Sequence, residues 1–258
     1  MNWFPQLGSG AMAQYPLHRN RQWRAISNTL ESGETITLGD SPGGSIEWRL
    51  RYQELTDTEV SKLTAFFQAS RGEAGSFGFV DPFANLLGWS EDLSRPDWQK
   101  GLLAVSGGLS DPLGTQRAWN LQNGNGAEQS LSQSLAVPGE YTACFSAYVR
   151  SDSAGTVGIV RDSKRLNVPA GPQWKRIQVS GAGVAGSAES TFAIVLPAGS
   201  TVRVFGLQVE AQPWPSIYRT TGSAAGILED TRFKGGELKV VHTAPGLSAC
   251  QVNLISRV

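Results

Sequence analysis

Phe77-Gly78-Phe79-Val80-Asp81-Pro82 decides how this chain is organised. Phe77 to Val80 reads as a strand, and Asp81-Pro82 ends it, since proline has no amide to give a ladder. The sequence that follows changes character. A matching segment returns only at Thr231-Arg232-Phe233, and Glu237 to Val258 then reads as two strands with no neighbours of their own. The expectation is a discontinuous domain built from residues 1–82 and 222–258, with residues 83–221 inserted as an independent unit.

Upstream of Phe77, an irregular arm (Met1 to Arg21) leads into Trp23 to Leu30 and Thr35 to Leu38, with Ser41-Pro42-Gly43-Gly44 as a turn signal. Ile46, Trp48, Leu50 and Tyr52 alternate with Glu47, Arg49 and Arg51, the period of a strand with one wet face. Thr56-Asp57-Thr58-Glu59 has the spacing of a capping box. It opens a helix with Val60, Leu63, Phe66 and Phe67 on one stripe, stopping near Arg71-Gly72. Strand, helix and strand make a compact α+β start that lacks strands, and the C-terminal segment supplies them. Trp23, Trp48 and Phe66-Phe67 are expected in this core.

The inserted stretch is rich in Ser, Gly, Thr and Ala, lacks helical periodicity, and is broken by turns at the spacing of a β-sandwich. Tyr141, Ala143, Phe145, Ala147 and Val149 alternate cleanly. Thr156 to Val160, Lys175 to Val179, Thr191 to Leu196 and Val202 to Val209 read as further strands. The fold class is therefore mainly β: a split α+β domain carrying a β-sandwich.

Composition narrows the function. The 258 residues carry 22 basic and 22 acidic side chains, a formal net charge of zero, which removes the electrostatic case for nucleic acid. No apolar run approaches the roughly 20 residues that span a bilayer, and no secretory signal is visible, so assembly in a cytoplasm is expected. Cys144 and Cys250 fall in different domains and read as buried thiols. Ser106-Gly107-Gly108 and Gly181 to Gly186 lack the lysine of a phosphate-binding loop and read as turns.

Two resemblances rest on these residues. The order Trp48-Arg49-Leu50-Arg51-Tyr52, Leu55-Thr56-Asp57-Thr58-Glu59, Leu63, Phe66-Phe67, Phe77 to Pro82, Thr231-Arg232-Phe233 and Leu238 resembles small phage minor tail proteins related to the distal tail protein. The insert resembles carbohydrate-binding-module-like jelly rolls of phage tail proteins. It does so through Asn85-Leu86-Leu87, Ser90 to Leu93, Trp98, Asp111 to Thr115, Phe145 to Arg150, Trp174-Lys175-Arg176, Phe205 to Glu210 and Tyr218. Together they imply a structural, non-enzymatic virion component of the tail tip or baseplate. The implied partners are further copies in a ring, tail tube and hub or fibre proteins, and host surface polysaccharide met during adsorption. The alternative is a purely structural role, with the sandwich bracing neighbouring subunits. Less favoured is a glycan-degrading enzyme, which needs two carboxylates about 5–10 Å apart across a cleft; no spacing here singles out such a pair.

Sugar recognition uses flat aromatic faces with polar groups beside them. The candidates are Trp98, Trp119 and Tyr148, with Arg150, Arg161 and Asp162 as polar companions. Asp111, in Asp111-Pro112-Leu113-Gly114-Thr115, either contributes to a structural calcium site or simply starts a turn. No other cofactor is expected. Trp3 and Phe4 are too apolar for a free tail: they dock on another subunit, or fold back on their own domain.

Overall fold

A computed structural model describes residues 2–223 and 225–257. It is mainly β with one helix and divides into two compact units. The first comprises residues 1–8, 12–79 and 228–258; the second, residues 9–11 and 80–227. The crossings thus fall at 79/80 and 227/228, a few residues from the sequence expectation, and Ser9 to Ala11 count with the second unit.

In chain order the first unit supplies β1 (His18–Thr29), β2 (Thr35–Thr56), α1 (Asp57–Ala69) and β3 (Phe77–Val80). After the second unit come β13 (Ile227–Phe233), β14 (Val240–Ala244) and β15 (Leu247–Arg257). They form one sheet in the order β1-β2-β15-β13-β3, with β14 also on β15. The segment from the far end of the sequence is therefore central. Trp48 stands opposite Leu254, Leu50 opposite Val252 and Tyr52 opposite Cys250, and all six side chains are buried. Such cross-strand apolar pairs stabilise a sheet face, and they fix the register, because a one-residue slip would turn each set to water.

The Thr56 capping box forms as the sequence requires: the Glu59 amide donates to the Thr56 hydroxyl, and the Thr56 amide donates to the Glu59 carboxylate. The same carboxylate accepts the Gly8 amide at 2.8 Å. The arm before it is not free. Phe4 is fully buried, its ring centroid 5.7 Å from both Phe66 and Phe79. Trp3 bridges to Gly78, where a Cβ would lie 2.5 Å from the indole, so only glycine lets the arm lie this close. Of the two readings for Trp3 and Phe4, the chain shows folding back, with Phe4 buried and Trp3 half-buried on their own domain.

Two expectations are corrected in this unit. Ser41-Pro42-Gly43-Gly44 does not reverse the chain, because β2 runs straight through it. Trp23 pairs with Gly44 and Ala25 with Gly39, so residues 40–43 stand opposite Arg24 as a bulge. Trp23 is not core. It is 62% exposed, as are Ile26 (61%) and Leu38 (64%), and every residue of β1 is exposed. Beyond the bulge β1 and β2 form a two-stranded ribbon. One face carries Ile26, Leu38 and Ile36; the other carries hydroxyl pairs, Ser27 with Thr37 at 3.1 Å and Thr29 with Thr35 at 3.3 Å.

The second unit is a two-sheet sandwich. One sheet has the order β10-β7-β12-β5-β4, from Lys175–Ala182, Thr142–Arg150, Thr201–Glu210, Ala118–Gln122 and Ala104–Leu109. The other has the order β6-β11-β8-β9, from Gln129–Leu135, Ser190–Leu196, Gly155–Arg161 and Lys164–Ala170. Phe145 of β7 meets Phe192 of β11 across the core at 5.8 Å. Ala143, Phe145, Ala147 and Val149 therefore face inward, and Cys144, Ser146, Tyr148 and Arg150 face out from the first sheet. Ser106-Gly107-Gly108, expected as a turn, lies inside β4 at a break in register between Ser106 and Leu109. Gly107 is needed there because a Cβ would lie 2.9 Å from the Trp119 ring.

Candidate functional site

The outer face of the five-stranded sheet is the broad surface of the sandwich, and half of it is closed by its own chain. Glu210, buried at the end of β12, accepts from the Gln208 side chain (2.7 Å), the Gln212 side chain (3.1 Å) and the Ser216 amide (2.9 Å), and also from the Ser216 hydroxyl. Arg176 donates to the Ser216 carbonyl at 2.6 Å and to the Ser146 hydroxyl at 3.0 Å. Tyr218 sets its ring 5.2 Å from Phe205 and its hydroxyl 2.9 Å from that of Ser90. Residues 212–219 are thereby strapped over Cys144 and Ser146, which explains why outward-facing residues of β7 are buried. Burial raises the Cys144 thiol to about 12, with the Glu210 charge adding to the shift.

The sequence candidates separate on this frame. Trp98 is buried and donates from Nε1 to the Trp89 carbonyl at 3.1 Å, so it packs and offers no platform. Trp119 is half-buried, its Nε1 held by the Glu91 carbonyl at 2.9 Å. Tyr148 lies half-buried between the Arg176 guanidinium, 5.4 Å away, and Phe205 at 6.0 Å. Arg161 is corrected outright. It is 0% exposed, donating to the carbonyls of Tyr141 (2.7 Å), Ala143 (3.3 Å), Gly139 (3.4 Å) and Gly181. Asp162 sits beside it at 3.7 Å and accepts the Thr191 amide at 2.7 Å. Arg161 clamps carbonyls of the β7 start and the β10 end together, and it is buried away from any sugar.

Asp111 is spent on its own turn. One oxygen accepts the amides of Leu113 (2.8 Å) and Thr115 (3.2 Å); the other accepts the Thr115 hydroxyl and the Arg117 amide (3.2 Å). Burial pushes its pKa up, but the hydrogen bonds from Thr115, Leu113 and Arg117 outweigh this and hold it below the ordinary 3.8. The turn reading accounts for Asp111. Among the described residues no group of three His, Cys, Asp or Glu side chains could hold a metal.

Arg150 belongs to a different surface, at the end of the sheet beyond the strap. It pairs across strands with Arg203, two like charges side by side, which destabilise a ladder unless neutralised. Asp152 stands between them, 2.7 Å from Arg203 and 3.7 Å from Arg150. Trp174, half-buried, immediately precedes the residue that pairs with Val149 and so occupies the position across from Arg150. The same chain segments frame a cleft of about 290 Å³, lined by Ser151, Ser153, Thr156, Ser200 and Thr201 with small alanines and glycines. Ser151 ties the walls together, its amide bonded to the Gly171 carbonyl and its hydroxyl to that of Thr201. The result is a hydroxyl-lined recess whose lining residues Ser151, Ser153 and Val202 adjoin Arg150, Asp152 and Arg203 in the chain, suited to hydrogen-bonding a polyol. None of the sequence candidates is among the lining residues; Arg150 comes nearest, adjoining Ser151 in the chain. Trp174 entered only through the jelly-roll resemblance, and the lining serines and threonines carried no signal until separate turns met at one end.

No protein-family model matches the chain, and no curated protein sequence matches it. Similar solved structures include the bacteriophage CBA120 tailspike protein 4 enzymatically active domain, at 11% identity and TM-score 0.39, covering 51% of this chain and 22% of that one. The xylan-binding CBM22-1 domain from Paenibacillus barcinonensis aligns at 13% identity and TM-score 0.40, over 52% of this chain and 97% of its own. The family 11 carbohydrate-binding module from Clostridium thermocellum aligns at 13% identity and TM-score 0.34, over 51% and 98%.

Proposed function

We propose that this chain is a non-enzymatic structural component of a phage tail tip, whose inserted sandwich binds glycans of the host surface during adsorption. The observation that supports this most is the manner of insertion. β3 and β13 are neighbours in one sheet, and between them the Asp81 amide donates to the Gly226 carbonyl at 2.8 Å. The sandwich thus leaves and re-enters through a closed gap, as a module displayed from a loop. Closure entropy grows only slowly with loop length, so a sheet tolerates such a passenger. The hydroxyl-lined cleft supports the glycan reading, and the order of elements in the first unit supports the tail reading.

In this proposal copies associate in a ring, with the exposed Ile26, Ile36 and Leu38 face of the β1–β2 ribbon covered by a neighbour, and tail tube and hub or fibre proteins adjoin it. Single sugar sites bind weakly; several on one assembly gain through effective concentration. Incubating the full chain with an array of bacterial surface polysaccharides tests the reading. Retention of a defined glycan class is expected, and silence across the array would favour the bracing role instead.

A further inference from the structure

We infer that the glycan bound at this cleft is acidic, a carboxylate-bearing sugar whose anionic group is received by Arg150. The inference rests on the glycan-binding reading and specifies its ligand.

The argument is one of charge and unspent hydrogen-bonding capacity. Arg150 and Arg203 bring two positive charges to adjacent strands, and Asp152 supplies one negative charge between them. The cleft lining contributes hydroxyls and no carboxylate. Among these three groups one positive charge is left uncompensated, on residues that adjoin the cleft lining in the chain. The three groups are half-open to solvent: Arg150 is 32% exposed, Arg203 31% and Asp152 67%.

The two arginines differ in how they are used. Arg203 makes a short, charge-assisted hydrogen bond to Asp152. The Arg150 side chain makes no hydrogen bond to any described residue; its only ionic contact among them is the 3.7 Å approach to Asp152. A guanidinium presents five donors in a planar fork that matches a carboxylate two bonds at a time. The terminal N–H groups of Arg150, on a side chain 32% exposed, are unspent, so this guanidinium is a place for an acceptor supplied from outside. A neutral sugar fills the cleft but leaves both the charge and the fork unanswered. A uronate places ring hydroxyls against Ser151, Ser153 and Thr201 and its carboxylate on Arg150.

The test uses the full chain and matched probes: short oligosaccharides of galacturonate, alginate and hyaluronan, each beside its carboxyl-reduced counterpart, followed by titration calorimetry. At least one acidic oligosaccharide is expected to bind about tenfold or more tightly than its reduced form, the size of a charge-assisted contact. Arg150→Gln, with its unfolding midpoint checked against the parent, should remove that preference while leaving the reduced form's binding unchanged. Raising salt should weaken the parent's acidic binding alone, a readout that needs no variant. Equal affinity for acidic and reduced forms, or a preference indifferent to Arg150→Gln, would overturn the acidic assignment while sparing glycan binding. Failure to bind any oligosaccharide, together with silence on the polysaccharide array, would remove both.

Discussion

The amide of Asp81 and the carbonyl of Gly226 meet at 2.8 Å, although 145 positions separate them in the chain (226 − 81 = 145). Gly226 permits this closeness, because a Cβ there would lie 2.2 Å from that of Ala84. Deleting the passenger by joining Pro82 to Ala225 through a short flexible linker should therefore leave a soluble first unit. It should unfold in one cooperative thermal transition with its β signature retained. Aggregation or a featureless melt would mean that the sheet depends on the sandwich.

Arg161 is the residue on which the sandwich should depend most. Removing one member of a buried ion pair costs about 3–5 kcal/mol, and here several carbonyls would lose their donor as well. Arg161→Ala is expected to lower the sandwich's denaturant midpoint by that order, with Arg161→Lys recovering only part. A change under about 1 kcal/mol would contradict the clamp.

Acid should loosen the first unit through Glu59. Burial raises its pKa, but the hydrogen bonds from the Thr56 and Gly8 amides, the Thr56 hydroxyl and the Lys62 charge prevail and hold it below the ordinary 4.5. A depressed carboxylate stabilises the fold above its unfolded pKa, and that contribution is lost as pH falls through the folded value. Thr56→Ala should cost about 1 kcal/mol at neutral pH. Glu59→Gln should flatten the fall in stability between about pH 5 and pH 3, read by chemical denaturation across that range.

The ribbon face should govern association and not folding. Exposed substitutions usually shift stability by about 0.5 kcal/mol or less. Replacing Ile26, Ile36 and Leu38 with serine should leave the monomer's melting midpoint nearly unchanged while lowering the sedimentation coefficient at high protein concentration. If parent and variant sediment alike as monomers, the ribbon is not the ring contact.

Both thiols should be inert while the chain is folded. Burial lifts Cys144 to about 12 and Cys250 to about 11, and the thiolate is the reacting species. A thiol reagent at pH 8 should label neither until denaturant is added, then both.

Most of what organises the fold could be read from local chemistry. Ile46 to Tyr52 alternate because one face of β2 is buried, Thr56 to Glu59 are a capping box wherever they occur, and Asp81-Pro82 stops a strand in any context. What escaped was non-local. Ser41 to Gly44 carry turn chemistry, yet a ladder on both sides makes them a bulge. Trp23 is apolar, but periodicity cannot say that nothing covers its face. β4, β5, β6 and β9 were missed because weak strand formers interrupt them, glycines in β4, serines and glutamines in β6, Asn120 in β5, and Lys164, Asn167 and Pro169 in β9. The candidate site was the least visible part, since Ser151, Thr156 and Ser200 converge only when separate turns come to one end. Arg161 was misassigned because a sequence shows a charge without showing four carbonyls around it.

The placement of β15 beside β2 also dictates an order of events at the ribosome. β2 emerges long before the strand that completes it, and the whole sandwich is translated in between. At about 5–20 residues per second, that interval lasts on the order of ten seconds. Throughout it the nascent β2 lacks the cross-strand partners of Trp48, Leu50 and Tyr52, so the passenger matures first and its carrier last. Chaperone dependence during synthesis should therefore track the early strands, and a slow stretch of codons would do its harm within the sandwich, by prolonging the wait.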